Sequence, residues 1–290
     1  MLSKIQTFLL LGRVSNLPSV WTNVIAAFCL VTVYNFGNWE YKNTIQLLPI
    51  LLGASLLYMS GCILNDAKDA SFDQKHRTDR PIPQGKISVS TTYLLGFLTL
   101  LAGFSLLTTI CQANLIAVGA LCSCLLIYTW LHKFTPFSVL FMGGCRTFLW
   151  VVAGSCYQVS VSHITVLPGI LLGLYIIGLS LLARNEANKS SLIKNKSLAL
   201  GLLISPILTV FLYVENWRVN FVSVTLAFVF IFLIWNTSRI RPIEKMIGTL
   251  LSLIPFIDAI ALSGFYNLYA ILLLAFIPVG RYLQRFIPAT

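Results

Sequence analysis

Residues 65–85 read NDAKDASFDQKHRTDRPIPQG and hold four of the chain's nine acids, Asp66, Asp69, Asp73 and Asp79. Asp66, Asp69 and Asp73 follow one another at i, i+3 and i+7. At about 100° per helical residue they fall within an arc of about 60°. Three carboxylates on one stripe repel one another unless a cation sits among them. Lys75, His76, Arg77 and Arg80 come next, then Pro81 and Pro83, which end a helix. Oxygen ligands beside a cluster of cationic donors suit a ligand that carries phosphate and Mg²⁺. The competing reading is a charged loop joining two membrane helices. Ordinary loops rarely stack acids on one helical face, and that favours the first reading.

The elements that must position these residues are apolar. The chain has 290 residues, of which 57% are hydrophobic and 10% charged, with a mean hydropathy of +0.85. A soluble domain carries about 25% charged residues, so this composition belongs to a polytopic membrane protein. The net charge of +11 raises nucleic acid as a partner. The positive residues are dispersed among apolar spans and form no single basic face, which excludes it. Seven cysteines, none in a CxxC pair, sit within or beside apolar stretches. They read as small core residues and not as a disulfide framework. Lys4 and Arg13 ahead of an apolar run resemble a signal peptide, but no small-residue cleavage pattern follows, so an uncleaved first helix is expected.

Segments long enough to cross a bilayer run at about 17–36, 44–64, 91–110, 113–131, 137–157, 164–183, 197–214, 219–236, 247–264 and 267–284. These predict an all-α bundle of nine or ten transmembrane helices in a single domain over residues 1–290. The 247–264 segment, with Pro255 and Asp258, is the weakest lipid-facing span. Of 20 Lys and Arg residues, 17 fall on the side that carries 65–86. That side is therefore expected to be cytoplasmic, in the cytoplasmic membrane, with both termini inside. The long polar loops, 65–90, 184–196 and 237–246, share this face, so function is expected there.

Charge inside a bilayer narrows the chemistry. A carboxylate near the bilayer centre costs about 2.5–3.5 kcal/mol on insertion scales, so three of them must line a wet cavity or the membrane edge. Mg²⁺ tethered there neutralises a diphosphate and makes it a better leaving group. Departure of diphosphate from an allylic carbon leaves a carbocation, which needs aromatic faces and a water-poor pocket. Arg146, just inside a span, pairs either with a ligand phosphate or with Asp258; a structural pairing with a helix-end carbonyl competes. His76 and His132 read as interfacial residues and His163 as a bystander.

Asn65-Asp66-x-x-Asp69-x-x-x-Asp73 followed by Arg80-Pro81-Ile82-Pro83-x-Gly85 resembles the first motif of the UbiA-type intramembrane prenyltransferases. Gly12-Arg13-Val14-Ser15-Asn16-Leu17-Pro18-Ser19 with Asn23 is similar to the start of that family's first helix. Tyr128 to Lys133 resembles its Tyr/Lys stretch after the fourth helix. The resemblance implies a helical bundle of usually nine helices around a central cavity. It also implies Mg²⁺-dependent transfer of a prenyl group from a prenyl diphosphate to an aromatic or other lipophilic acceptor. Asn65, Asp66, Asp69 and Asp73 would hold Mg²⁺. Asp69, Asp73 and Glu186 would be catalytic, and Asn23, Asn65, Arg77, Arg80, Lys133 and Arg146 would bind substrate.

The second motif departs from the family pattern of acids about four residues apart. Here the stretch reads Ala183-Arg184-Asn185-Glu186-Ala187-Asn188-Lys189-Ser190-Ser191, with Glu186 its one acid. That form, with Gly143-Gly144-Cys145-Arg146, is similar to a divergent EboC-like branch. A non-enzymatic protein that binds or transports a small metabolite is accordingly the alternative function. A purely structural membrane subunit is a third reading, and it requires no ligand for residues 65–80.

Overall fold

A computed structural model describes residues 4–187, 196–212 and 221–287. The described residues form helices and no strands. In order they are α1 (Lys4–Leu11), α2 (Leu17–Phe36), α3 (Tyr41–His76), α4 (Val89–Ser105), α5 (Leu115–Leu131), α6 (Ser138–Gly154) and α7 (His163–Ala187). After these come α8 (Lys196–Ile204), α9 (Thr209–Leu212), α10 (Phe221–Thr237), α11 (Ile243–Ser252), α12 (Ile254–Ser263), α13 (Asn267–Leu273) and α14 (Phe276–Leu283).

Five helical stretches are long and apolar enough to cross a membrane: Val14–Phe36, Tyr41–His76, Val89–Ile110, His163–Arg184 and Ile243–Ser263. Five shorter apolar helices fall at the other expected segments. Large side chains such as Leu94, Phe97, Leu98 and Leu101 on α4, and Phe228, Phe232 and Trp235 on α10, are exposed on the outside. An apolar surface of this extent needs hydrocarbon around it. The chain is an integral membrane protein.

The helix α3 organises the site. Its 36 residues rise about 54 Å at 1.5 Å each, against a hydrocarbon layer of about 30 Å. The acidic stripe occupies its last turns, so within the polar stretch expected at 65–90 residues 65–76 are helix and only 77–88 are not. Arg77 ends the helix by leaving helical geometry, at φ −145°. Pro81 and Pro83 follow, and Gly85 takes a left-handed φ of 68°, which costs glycine nothing.

Around α3 lie α1, α2, α4 and α5. The α6 and α7 helices cross closely because glycines meet there: a Cβ on Gly143 would lie 2.7 Å from the Gly173 carbonyl oxygen. Such small residues let backbones approach where lipid offers no hydrophobic drive to association. The 247–264 segment proves to be an interior element. It is broken at Leu253 between α11 and α12, with Pro255 in the first turn of α12, and every residue of α12 is buried.

Candidate active site

A cavity of about 420 Å³ opens among the ends of α3, α5, α6, α7 and α11. Its polar lining includes Arg13, Asn16, Tyr58, Asn65, His132, Arg146 and Arg184, while Ala54, Leu57, Leu121, Leu125, Leu149, Ile176 and Leu179 form its apolar walls. Tyr58 sits eight residues before Asp66 on α3, about 12 Å along the helix axis. The cavity therefore runs from the acidic end of α3 into the bundle.

The three stripe acids are buried, Asp66 at 6%, Asp69 at 5% and Asp73 at 1% exposure. They escape the cost of buried charge by pairing. Asp66 Oδ1 accepts from Arg13 Nη2 at 3.0 Å and from Arg80 Nη1 at 2.9 Å. The same Arg80 nitrogen donates to Asp73 Oδ2 at 2.9 Å. Asp69 has other partners, with His132 Nε2 3.2 Å and Lys133 Nζ 2.6 Å from its Oδ1. Asn65 Oδ1 and Asp73 Oδ1 are buried and accept no hydrogen bond.

Asn65, Asp69 and Asp73 stand four apart on successive turns of α3 and hence on one face. Buried oxygens from one amide and two carboxylates, those of Asn65 and Asp73 without a hydrogen-bond donor, are the ligand chemistry a hard divalent cation takes. Among the described residues no three His, Cys, Asp or Glu side chains already converge as a cage. Arg80 stands between Asp66 and Asp73 where a bridging cation would sit. The residues fit Mg²⁺ of the kind that keeps water and phosphate oxygens in its shell.

Of the expected site residues, Asn65, Asp66, Asp69, Asp73, Arg80 and Lys133 come together. Arg77 is exposed and makes no ion pair. Glu186 lies in the last turn of α7, but its side chain falls outside the described residues, as do residues 188–191. Asn23 and Arg146 meet deeper, in a buried network. Arg146 Nη1 donates to Asn23 Oδ1 at 2.7 Å and to the Ser19 carbonyl at 3.2 Å, and its Nη2 donates to Ser19 Oγ at 3.0 Å. Asn23 Nδ2 donates to both oxygens of Asp258, at 2.9 and 2.8 Å. Asn23 thus separates Arg146 from Asp258, the carboxylate expected to pair with it.

Three residues at the site were not among those expected. Arg13 holds Asp66 from a left-handed backbone, φ 45° and ψ 51°, a conformation that costs a non-glycine residue about 1–2 kcal/mol. His132, read as interfacial, reaches Asp69 and lines the cavity. Its place next to Lys133 was the available signal. Arg184 donates through Nη2 to the His132 carbonyl at 2.8 Å, and through Nη1 to the Thr135 carbonyl at 2.9 Å and Ser138 Oγ at 2.6 Å. It fastens the turn that carries His132 and Lys133 to α7. Its one sign in the sequence was a basic residue within the stretch where the resemblance calls for acids.

Residues 24–246 match the UbiA prenyltransferase family. Over 137 residues the chain is 27% identical to a 4-hydroxybenzoate octaprenyltransferase of Vibrio parahaemolyticus, a match covering 47% of this chain and 44% of that protein. Over 136 residues it is 28% identical to a digeranylgeranylglyceryl phosphate synthase of Methanococcus aeolicus, covering 45% and 44%. The chain thus spans somewhat under half the length of these curated relatives. A UbiA homologue from Archaeoglobus fulgidus solved bound to DMAPP and Mg²⁺ shares the fold at a TM-score of 0.62 and 14% identity, over 97% of this chain and 100% of that one. The same homologue bound to GPP and Mg²⁺ gives 0.60 and 15%, over 96% and 99%. With the family match running through most of its length, the chain belongs to the UbiA prenyltransferase family.

Proposed function

We propose that this protein transfers a prenyl group from a prenyl diphosphate to an aromatic or other lipophilic acceptor inside the membrane, with Mg²⁺ as cofactor. The observation that carries the reading is one juxtaposition. Three buried acids pair with Arg13, Arg80, His132 and Lys133, and two of these partners, Arg13 and His132, line with Asn65 a cavity whose walls are largely apolar. The relatives named for prenyl transfer and the homologue bound to DMAPP and Mg²⁺ support the same reading.

Asn65, Asp69 and Asp73 would hold the metal through side-chain oxygens, and Asp66 would assist. Bound Mg²⁺ offsets the charge of the diphosphate and makes it a better leaving group. Arg80 and Lys133 are tied to carboxylates in the ligand-free protein. Both would be placed to donate to the phosphate oxygens of a diphosphate held beside those acids. Breaking the allylic C–O bond sends its electron pair out with the diphosphate. The apolar walls keep water from the allylic cation until the acceptor's nucleophilic atom adds and gives up its proton. Tyr58 and Tyr128 are the tyrosines that line the cavity through which that cation would pass. Glu186 is the candidate base.

The Lys and Arg asymmetry supports a site and both termini on the cytoplasmic side of the cytoplasmic membrane, with residues 1–290 read as one domain. In membranes supplied with radiolabelled geranylgeranyl diphosphate and a panel of acceptors, Asp69→Ala and Asp73→Ala should each abolish label transfer. EDTA should stop the wild-type reaction, and Mg²⁺ should restore it better than Ca²⁺. Full transfer by both variants would sink the assignment.

A further inference from the structure

Cys111 and Cys156 are two of seven free thiols, and the proposed reaction uses neither. The other five lie within α2, α3, α5 and α6, whereas these two stand outside the α-helices. Cys111 follows the helical run that begins as α4 just after the Gly85 turn. Cys156 follows α6, which begins just after the turn of His132 and Lys133. Both helices start at the acidic end of the bundle, so both cysteines sit at its opposite face, with Lys42 at the start of α3.

The backbone brings them together. The Tyr157 N–H donates to the Cys111 carbonyl at 2.6 Å, and the Asn114 N–H donates to Ser155 Oγ at 3.1 Å. The first of these bonds keeps the Cα atoms of Cys111 and Cys156 within about 7 Å, the span that a disulfide bridges. The two thiols are in hydrogen-bond contact with each other, and both residues are fully buried. Tyr157 fixes the corner. It takes a left-handed φ of 57°, which few non-glycine residues adopt, and its hydroxyl donates to the Gln46 carbonyl at 2.8 Å. Hydrogen bonding from Cys156 holds the Cys111 thiol below the ordinary cysteine range, which marks Cys111 as the thiolate of the pair.

We infer that Cys111 and Cys156 are joined by a disulfide at the outer face of the membrane. The inference rests on the cytoplasmic placement of the acidic stripe proposed above and not on prenyl transfer. The oxidant is an external disulfide of an oxidising compartment, protein or low-molecular-weight. The Cys111 thiolate attacks one sulfur of that disulfide and expels the other as a thiolate. The Cys156 thiolate then attacks the Cys111 sulfur of the mixed disulfide and expels the second. One S–S bond breaks and one forms, and the two protons of the cysteines end on the two thiols of the reduced oxidant. Burial of both side chains places the exchange before the 111–114 and 155–157 segments finish packing. The bond closes residues 111–156 into a loop, the α5–α6 hairpin whose inner turn carries His132 and Lys133.

The test expresses the full chain in a bacterium with an oxidising periplasm and lyses the cells directly into denaturant with N-ethylmaleimide. After reduction, an isotopically heavy maleimide should enter two cysteines per chain. Proteolytic mapping of the unreduced sample should find the Cys111 and Cys156 peptides joined, with loss of two hydrogens. Cys111→Ser and Cys156→Ser should each bring the heavy label to zero, and the wild-type peptide map decides the pairing even where a variant folds badly. Sidedness is read separately from Lys42→Cys, an exposed position on the same face, which a membrane-impermeant maleimide should label in intact cells.

Labelled Lys42→Cys with no joined peptide in the wild type overturns the proposal. A peptide that joins either cysteine to a different partner does so too. If Lys42→Cys stays unlabelled and no joined peptide forms, the outward placement falls and takes the disulfide with it. Prenyl transfer is untouched by any of these results, so its own assay stands or fails alone.

Discussion

Arg80 and Asp73 lie 2.9 Å apart, and the Arg80 nitrogen that makes this contact is also 2.9 Å from Asp66. One guanidinium N–H group thus sits between two carboxylates of the acidic stripe. It acts as an internal counter-ion for buried acids whose mutual repulsion is otherwise unrelieved at Asp73.

Removing that counter-ion should make the fold dependent on metal. Arg80→Ala leaves Asp73 buried without a cation, and breaking a buried pair in this way costs about 3 kcal/mol. In detergent without divalent metal, the variant should melt several degrees below wild type. Added Mg²⁺ should recover more of the loss in the variant than it gains in the wild type, because the metal no longer competes with Arg80. Equal Mg²⁺ gains in the two proteins would count against metal binding at Asp73.

Arg184 works at one remove from the stripe. Its three hydrogen bonds hold the 132–138 turn, and that turn aims His132 and Lys133 at Asp69. Arg184→Ala should lower stability by about 2 kcal/mol, in the range for hydrogen bonds to a charged donor. It should also raise the KM for the prenyl diphosphate. Arg184→Lys should rescue little, since one ammonium does not reproduce the planar fork that reaches three oxygens. Full rescue by lysine would show that charge alone matters there.

Asn23 insulates two opposite charges. Asn23→Leu leaves the Asp258 carboxylate without both of its Asn23 hydrogen bonds and Arg146 without one. The expected loss is about 3 kcal/mol or more, with poor recovery of folded protein from membranes. Asn23→Asp is expected to be tolerated worse than Asn23→Gln, because it sets a second carboxylate against Asp258. Comparing the three by detergent melting checks the order.

Gly143 tests the close crossing of α6 on α7. A Cβ there meets the Gly173 carbonyl oxygen at 2.7 Å and Ile177 Cγ1 at 2.6 Å, and backbone does not move aside cheaply. Gly143→Ala should cost about 1–3 kcal/mol through overpacking. Gly119→Ala, with open space around its Cβ, should be close to neutral in the same melting experiment.

The bundle could be read from the order of residues because hydrophobicity over a span is a property of neighbours in the chain. All ten apolar segments returned as helices, and the pairing of polar face with apolar wall followed from them. The stripe of Asn65, Asp66, Asp69 and Asp73 was equally local, since a helical period alone puts those side chains on adjacent turns. Which cation meets which acid was settled by tertiary structure. Arg13 lies 53 residues from Asp66, and His132 lies 63 from Asp69. Arg184 lies 52 from the carbonyl it holds, and Asn23 lies 235 from Asp258. Spacing within a helix carries no information across such separations. Charge pairing depends on distances of a few ångströms, and these exist only once the helices have packed.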